Sequence, residues 1–265
     1  MRSLFRDVVR TLVPGKGDQH GPLPPVLLVL TVVTGLVDAV SYLGLGHVFI
    51  ANMTGNVVFL GFALAGERSL SAAASLVSLA AFLTGALAGG RFGVRFAAHR
   101  GRLLARTMGV QSVLFAGALA TTLAVHDRAD ATVRYTLIVL LGVAMGLQNA
   151  VVRRLGIPDL TTTVLTLTLT GLAADSGAAG GTGPRPGRRL LSVLAMLSGA
   201  LAGALLLLTT GLSLALGVAV LLLATGTVVL WRLSLPAAGW AATPPVTRSA
   251  PPVSPRLRGD QPGSP

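Results

Sequence analysis

From Pro24 to Trp231 the chain is a succession of eight apolar segments, and this constrains its fold more than any other feature. They are Pro24–Leu45, Val48–Ala65, Leu70–Arg91, Leu103–Val125, Val133–Val152, Leu160–Ala174, Leu190–Thr210 and Leu212–Trp231. As helices rising 1.5 Å per residue, six of them reach the roughly 30 Å needed to cross a hydrocarbon core. The segments at 48–65 and 160–174 fall short, at about 27 and about 22 Å, and are the most polar of the set. Only 11% of all residues are charged, against about 25% in soluble domains. The expected fold is an all-α integral membrane protein whose principal partner is the lipid bilayer.

The formal charge of +12 does not point to nucleic acid. The arginines lie between apolar segments and at both ends of the chain, without the interleaved aromatics of a nucleic-acid platform. Basic residues beside membrane spans instead set orientation. There is no cysteine, which excludes disulfides, thiolate ligands and a thiol nucleophile. The four histidines are scattered, and no phosphate-cradling glycine motif is present. No cofactor, metal site or catalytic constellation is expected, so the chain does not read as an enzyme.

Arginine positions select the topology. If all eight segments cross, with the N-terminus inside, Arg91, Arg95, Arg100, Arg102 and Arg106 share one short external loop, against the positive-inside rule. If the two short segments dip in and return on the same side, only Arg68, Arg128 and Arg134 of the 21 basic residues remain outside. The expectation is six spans plus two short re-entrant or broken segments, with both termini cytoplasmic.

The halves resemble each other. Gly35–Val40, GLVDAV, matches Gly146–Val151, GLQNAV, at four of six positions, with Asp38 opposite Asn149. Each is followed by a Leu-Gly pair and a short polar segment. Repeat one spans 24–125 and repeat two 133–231, and the charge topology makes them a 3+3 inverted repeat. The leader 1–23 fits either a short helix on the inner membrane surface or a loose basic tail. Residues 232–265 hold eight of the 15 prolines and read as a disordered cytoplasmic tail.

An acid at a helix centre costs about 2.5–3.5 kcal/mol on insertion scales, so intramembrane ionisable residues are functional candidates by default. Asp38 is the foremost, with Asn149, Gln148, Asn52 and Asn56 as its expected partners. Irregular backbone at membrane depth needs polar neighbours. Asn52, Thr54 and Asn56 serve one short segment, where Gly55 allows a turn or close packing. Thr161, Thr162, Thr163, Thr166, Thr168 and Thr170 serve the other. Gly85, Gly89, Gly93, Gly199 and Gly203 are spaced for helix packing. Asp175 reads as solvated, and His47 and His126 as interfacial.

The stretch TGLVDAVSYLGLGHVFIANMTGNVVFLGFALAG, with its G-x-x-D start and its ANMTGN core, resembles the YoaK-like family of bacterial membrane proteins, domain of unknown function 1275. The resemblance runs from Pro24 to Trp231. Members often repeat a Met-Thr-Gly motif in the second half, where this chain has LTLTLTG ending in Thr170-Gly171. It implies a multi-pass inner-membrane protein of unassigned biochemistry.

The leading functional expectation is a small carrier or permease-like protein. Asp38 would be its proton- or cation-responsive acid, with a polar site for an unknown small solute or ion at the membrane midplane. The alternatives are a non-transporting scaffold or partner subunit and, third, an intramembrane enzyme. A homo-oligomer is compatible with every one of these.

Overall fold

The computed structural model describes residues 2–15, 17–125, 130–160, 162–163, 165–176, 179–181, 185–234 and 239–241. Among them the fold is all-helical. The helices are α1 (Arg2–Leu12), α2 (Leu23–Gly44), α3 (Met53–Leu64), α4 (Ala72–Arg95), α5 (Arg100–Ala124), α6 (Ala131–Leu155), α7 (Leu165–Ala174), α8 (Pro186–Thr210) and α9 (Leu212–Leu233). Six of these, α2, α4, α5, α6, α8 and α9, are long and apolar enough to cross a membrane. With 12 and 10 residues, α3 and α7 reach only about 18 and 15 Å.

Local chemistry sets the boundaries. Pro24 and Pro25 open α2 and Pro186 opens α8, where a missing amide hydrogen costs nothing. The Pro186 start extends α8 four residues ahead of the apolar segment that begins at Leu190. The Asp130 carboxylate accepts from the Val133 amide at 2.8 Å to cap α6, and the Ser71 hydroxyl accepts from Ala74 at 3.1 Å to cap α4. Gly156, at φ 59°, closes α6 in the left-handed conformation.

Glycines decide how the spans pair. A Cβ on Gly199 would run into the Val32 carbonyl, and one on Gly203 would lie 2.5 Å from that of Leu36. A Cβ on Gly85 would likewise run into the Val143 carbonyl, and one on Gly89 would lie 2.8 Å from that of Leu147. So α8 lies parallel to α2, and α4 parallel to α6, each on a G-x-x-x-G face that lets backbones touch. Gly35 and Gly146 complete the two contacts from the other side, against Met196 and Phe82.

The remaining contacts give every span a direction. Helix α5 is antiparallel to α6, with Arg100 at Leu155, Gln111 at Gln148 and Gly117 facing Leu140. It is also antiparallel to α9, with Thr122 at Ser213, Met108 at Gly226 and Gly101 at Ser234. Thr34 meets Gln148 while Gly46 faces Arg134, so α2 opposes α6. Hence α2, α5 and α8 run one way, and α4, α6 and α9 the other.

Each short helix therefore sits between two spans of opposite sense, and its segment leaves and returns at the same end of the bundle. The end for α3 is opposite to that for α7. Among the described residues, Arg91, Arg95, Arg100, Arg102, Arg106, Arg153, Arg154, Arg185, Arg188, Arg189 and Arg232 gather at the α7 end, while Arg68 and Arg134 stand at the other.

The leader forms a helix. In α1 the apolar Phe5, Val9 and Leu12 are exposed, and the Asp7 carboxylate accepts from the Arg188 amide at 3.2 Å at the start of α8. The described structure continues past residue 232, where the sequence reading placed the start of the tail. Helix α9 continues to Leu233, and Gly239–Ala241 forms a 3-10 turn whose Trp240 covers Gly21 and Gly101. Residues 242–265 lie outside the described residues.

Candidate functional site

The polar residues of the first half converge on one short piece of backbone. After Gly46 (φ 92°) and His47 (φ 56°) the chain folds back into the bundle. Asp38 stands about 9 Å before the end of α2 and is only 4% exposed. Its Oδ1 accepts from the amides of Ile50 at 2.9 Å and Ala51 at 2.7 Å. This corrects the partners expected from sequence: the Asp38 side chain bonds backbone amides of the turn that leads into α3, on the side of the helix N-terminus that favours a negative group. Its Oδ2 has no hydrogen-bond partner among the described residues.

Asn56 holds the preceding peptide. Its Oδ1 accepts from the Phe49 amide at 2.9 Å, and its Nδ2 donates to the Phe49 carbonyl at 2.6 Å and to Ser78 Oγ at 3.1 Å. Ser78 donates to the same carbonyl at 2.7 Å. Asp38 and Asn56 between them serve the amides of Phe49, Ile50 and Ala51 and the Phe49 carbonyl, backbone groups that lack helical partners and need polar neighbours at membrane depth. Gly55 acts by close packing, because a Cβ there would lie 2.6 Å from the Phe49 ring. That ring stacks with Tyr42 and Phe59, at centroid distances of 5.2 and 5.5 Å. The side chains of Asn52 and Thr54 are exposed and join none of these bonds.

In the second half the groups are neutral and the bond to the following segment runs from side chain to side chain. Asn149, at the place in α6 that Asp38 holds in α2, accepts from Thr163 Oγ1 at 2.7 Å and donates to the Met145 carbonyl at 2.9 Å. Thr168 is the buried residue of α7, as Asn56 is of α3. Thr166 is exposed, and Thr161 lies outside the described residues.

Gln148 joins the halves. It donates to Thr34 Oγ1 of α2 at 3.1 Å and to Thr162 Oγ1 at 3.4 Å, and accepts from Gln111 Nε2 of α5 at 2.7 Å. Sequence reasoning missed Gln111 and Thr34, both fully buried. A lone glutamine inside an apolar segment was the available signal.

Beside this second network lies a crevice of about 650 Å³, lined by Phe82, Asn149, Ala150, Arg153, Leu160 and Thr163 among others. The halves differ in what comes next along the helix. Four residues past Asp38 stands Tyr42, whose ring belongs to the aromatic stack; four past Asn149 stands Arg153, on the crevice. Asp175, read from sequence as solvated, is paired with Arg189 at 2.7 Å, and Arg189 also holds Asp159 at 2.8 Å. His47 is exposed and meets the Tyr42 ring edge-on at 5.2 Å, while His126 lies outside the described residues. No group of three or more His, Asp or Glu placed to hold a metal ion occurs among the described residues.

Residues 26–229 match a family described as "Protein of unknown function (DUF1275)". Over 163 residues the chain is 35% identical to the UPF0700 transmembrane protein YoaK of Bacillus subtilis (strain 168). The match covers 57% of this chain and 65% of the relative, so it spans slightly less than two thirds of the relative's length. No solved structure matches. With the family covering nearly all of the helical bundle, the chain belongs to the DUF1275, YoaK-like family of multi-pass transmembrane proteins.

Proposed function

We propose that this protein is a small secondary carrier or permease-like protein of the bacterial inner membrane, built as an inverted repeat with both termini cytoplasmic. The observation that carries this reading is the pair of irregular segments that enter from opposite ends of the bundle and are held at Asp38 and Asn149. Inverted halves with broken helices meeting inside the membrane are a common build of secondary carriers. The gathering of arginines at the α7 end supports a cytoplasmic location for that end.

The two halves differ in a way that points to where a solute is handled. In the first, the Asp38 carboxylate already occupies the amides leading into α3, and aromatic rings cover the ground beside it. In the second, neutral Asn149 and Thr163 open onto the crevice, with Arg153 beside them. The reading therefore assigns a small polar or anionic solute to the Asn149–Thr163 crevice, and Asp38 Oδ2 to a proton or cation.

A second reading, a non-transporting scaffold or partner subunit, is favoured by a specific observation. Asp38, Asn56 and Gln148 all direct hydrogen bonds to the chain's own backbone or neighbouring helices. A thermal-shift screen of the detergent-purified chain against ions and small metabolites, with Asn149→Ala alongside, separates the two. A ligand at about 100 times its Kd adds roughly 2.7 kcal/mol to the folded state. The carrier reading expects a hit that Asn149→Ala abolishes and that crosses proteoliposome membranes. Absence of any hit, or a hit without flux, moves the assignment to the scaffold.

A further inference from the structure

The arginine-rich end of the bundle holds a second cavity, away from the Asn149 crevice. It measures about 260 Å³ and lies where the lead into α2, the start of α5 and the end of α6 meet, lined by Gln19, His20, Arg100, Arg154, Leu155 and Gly156 among others. Three of the lining side chains are basic and none is acidic.

Basic residues beside a membrane ordinarily stand in solvent, as Arg153 and Arg154 do. Arg100 does not, being only 7% exposed. Its Nη2 donates to the Leu155 carbonyl at 2.9 Å, on the last turn of α6, which pins the guanidinium at the cavity. The ion pairs among the described residues belong to Arg189, so Arg100 has no carboxylate. A buried charge without a counter-charge is costly.

Its surroundings make the imbalance larger. His20 Nδ1 is buried without a hydrogen-bond partner, and so are Nε and Nη1 of Arg188, itself only 7% exposed, at the start of α8. Burial and the charges of Arg100 and Arg188 hold the His20 imidazole below its ordinary pKa, while Asp18 opposes this. The His20 amide is turned to the Asp18 carboxylate at 2.9 Å, which keeps the ring in place beside Arg100.

We infer that the cavity between Gln19–His20, Arg100 and Arg154 is a binding site for a phosphate-type oxyanion. Arg100 supplies the buried charge and the fork geometry that suits phosphate oxygens. Arg154 closes the mouth, and Gln19 and His20 offer further polar contacts. The phosphate comes either from the headgroup of an anionic phospholipid at this membrane face or from a free phosphate.

The test uses the full chain in detergent and in nanodiscs. Its thermal stability is titrated with inorganic phosphate against chloride at constant ionic strength, and compared in nanodiscs of phosphatidylcholine with and without phosphatidylglycerol. Arg154→Gln is the primary variant because the side chain is exposed and Gln keeps part of the stem that packs over Gly93 of α4 while removing the charge. Arg100→Lys keeps the charge but loses the fork, and Arg91→Gln removes an arginine at the same end but outside the cavity.

A rise in Tm with phosphate, with an apparent Kd about tenfold or more weaker in Arg154→Gln and Arg100→Lys but unchanged in Arg91→Gln, supports the site and a free anion. A rise with phosphatidylglycerol alone, lost in the same two variants, supports it with the lipid as source. No rise with either probe overturns it. So does a rise that the cavity variants leave intact, or that Arg91→Gln diminishes equally, since that is screening of a diffuse basic face.

Discussion

The side-chain amide of Asn56 and the peptide of Phe49 form a closed two-way pair: the carboxamide oxygen accepts from the amide at 2.9 Å and its nitrogen donates to the carbonyl at 2.6 Å. Seven residues apart in sequence, they fix the turn by which the chain re-enters the bundle. Ser78 of α4 donates to the same carbonyl, tying the turn to a crossing helix. Inside lipid, where no water can replace these bonds, this pair is the structural centre of the ANMTGN motif.

Asn56→Ala leaves the Phe49 amide without its partner, while Ser78 still donates to the carbonyl. An unsatisfied buried group costs about 1–3 kcal/mol, and a loss in that range is expected. Ser78→Ala should cost less, because Asn56 still serves the carbonyl. Thermal unfolding of the two variants in the same detergent checks the order, and an Asn56→Ala protein as stable as the parent would refute the account.

Asp38→Asn preserves an acceptor for the Ile50 and Ala51 amides, as the neutral Asn149 does for Thr163 in the other half. It should fold, with a loss of about 1–2 kcal/mol. Asp38→Leu removes the acceptor altogether and should yield aggregated or poorly monodisperse protein. Size-exclusion profiles of the two variants, expressed side by side, decide the matter.

Gly35→Ala and Gly146→Ala place a methyl group against the backbone of the facing helix. Because α2–α8 and α4–α6 touch through these glycines, each substitution should cost about 1–3 kcal/mol from overpacking. Gly61→Ala and Gly217→Ala, whose added Cβ meets nothing within 4 Å, should be neutral or gain up to about 1 kcal/mol from helix propensity. Comparing all four melting temperatures isolates packing from propensity.

His20 lies outside the spans and its pKa is lowered by burial and by Arg100 and Arg188. The unfolded chain therefore binds this proton more readily than the folded one. Stability is full above the ordinary histidine value of about 6.5 and falls as pH drops through it. His20→Gln should flatten the decline in Tm between about pH 7.5 and 5.5. The remaining slope belongs partly to His99, which burial and Arg102 lower in the same sense.

The absence of cysteine makes topology directly measurable. A Glu67→Cys protein should react with an impermeant maleimide in intact cells, and Arg95→Cys only after permeabilisation. Reaction of both from the same side would contradict the assigned helix directions.

Six spans, two short polar segments and their opposed entry were legible in the sequence. Segment length, apolar composition and the cost of misplaced arginines act locally and need no knowledge of neighbours. The register of Asp38 with Asn149 was legible for the same reason, since each precedes its own helix end by the same interval. What Asp38 and Asn149 touch was not legible. Sequence suggested that these two residues meet, whereas each bonds the segment that follows its own helix: Asp38 takes backbone amides, which buried irregular backbone must satisfy with a nearby acceptor, and Asn149 takes the Thr163 hydroxyl. Only the tertiary structure joined Gln111, Gln148 and Thr34 across three helices and paired α2 with α8 and α4 with α6. It also left Arg100 buried beside an acid-free cavity. Such contacts depend on which helix faces come together, and in a membrane that is set by small-residue packing and polar satisfaction between distant segments rather than by hydropathy along the chain.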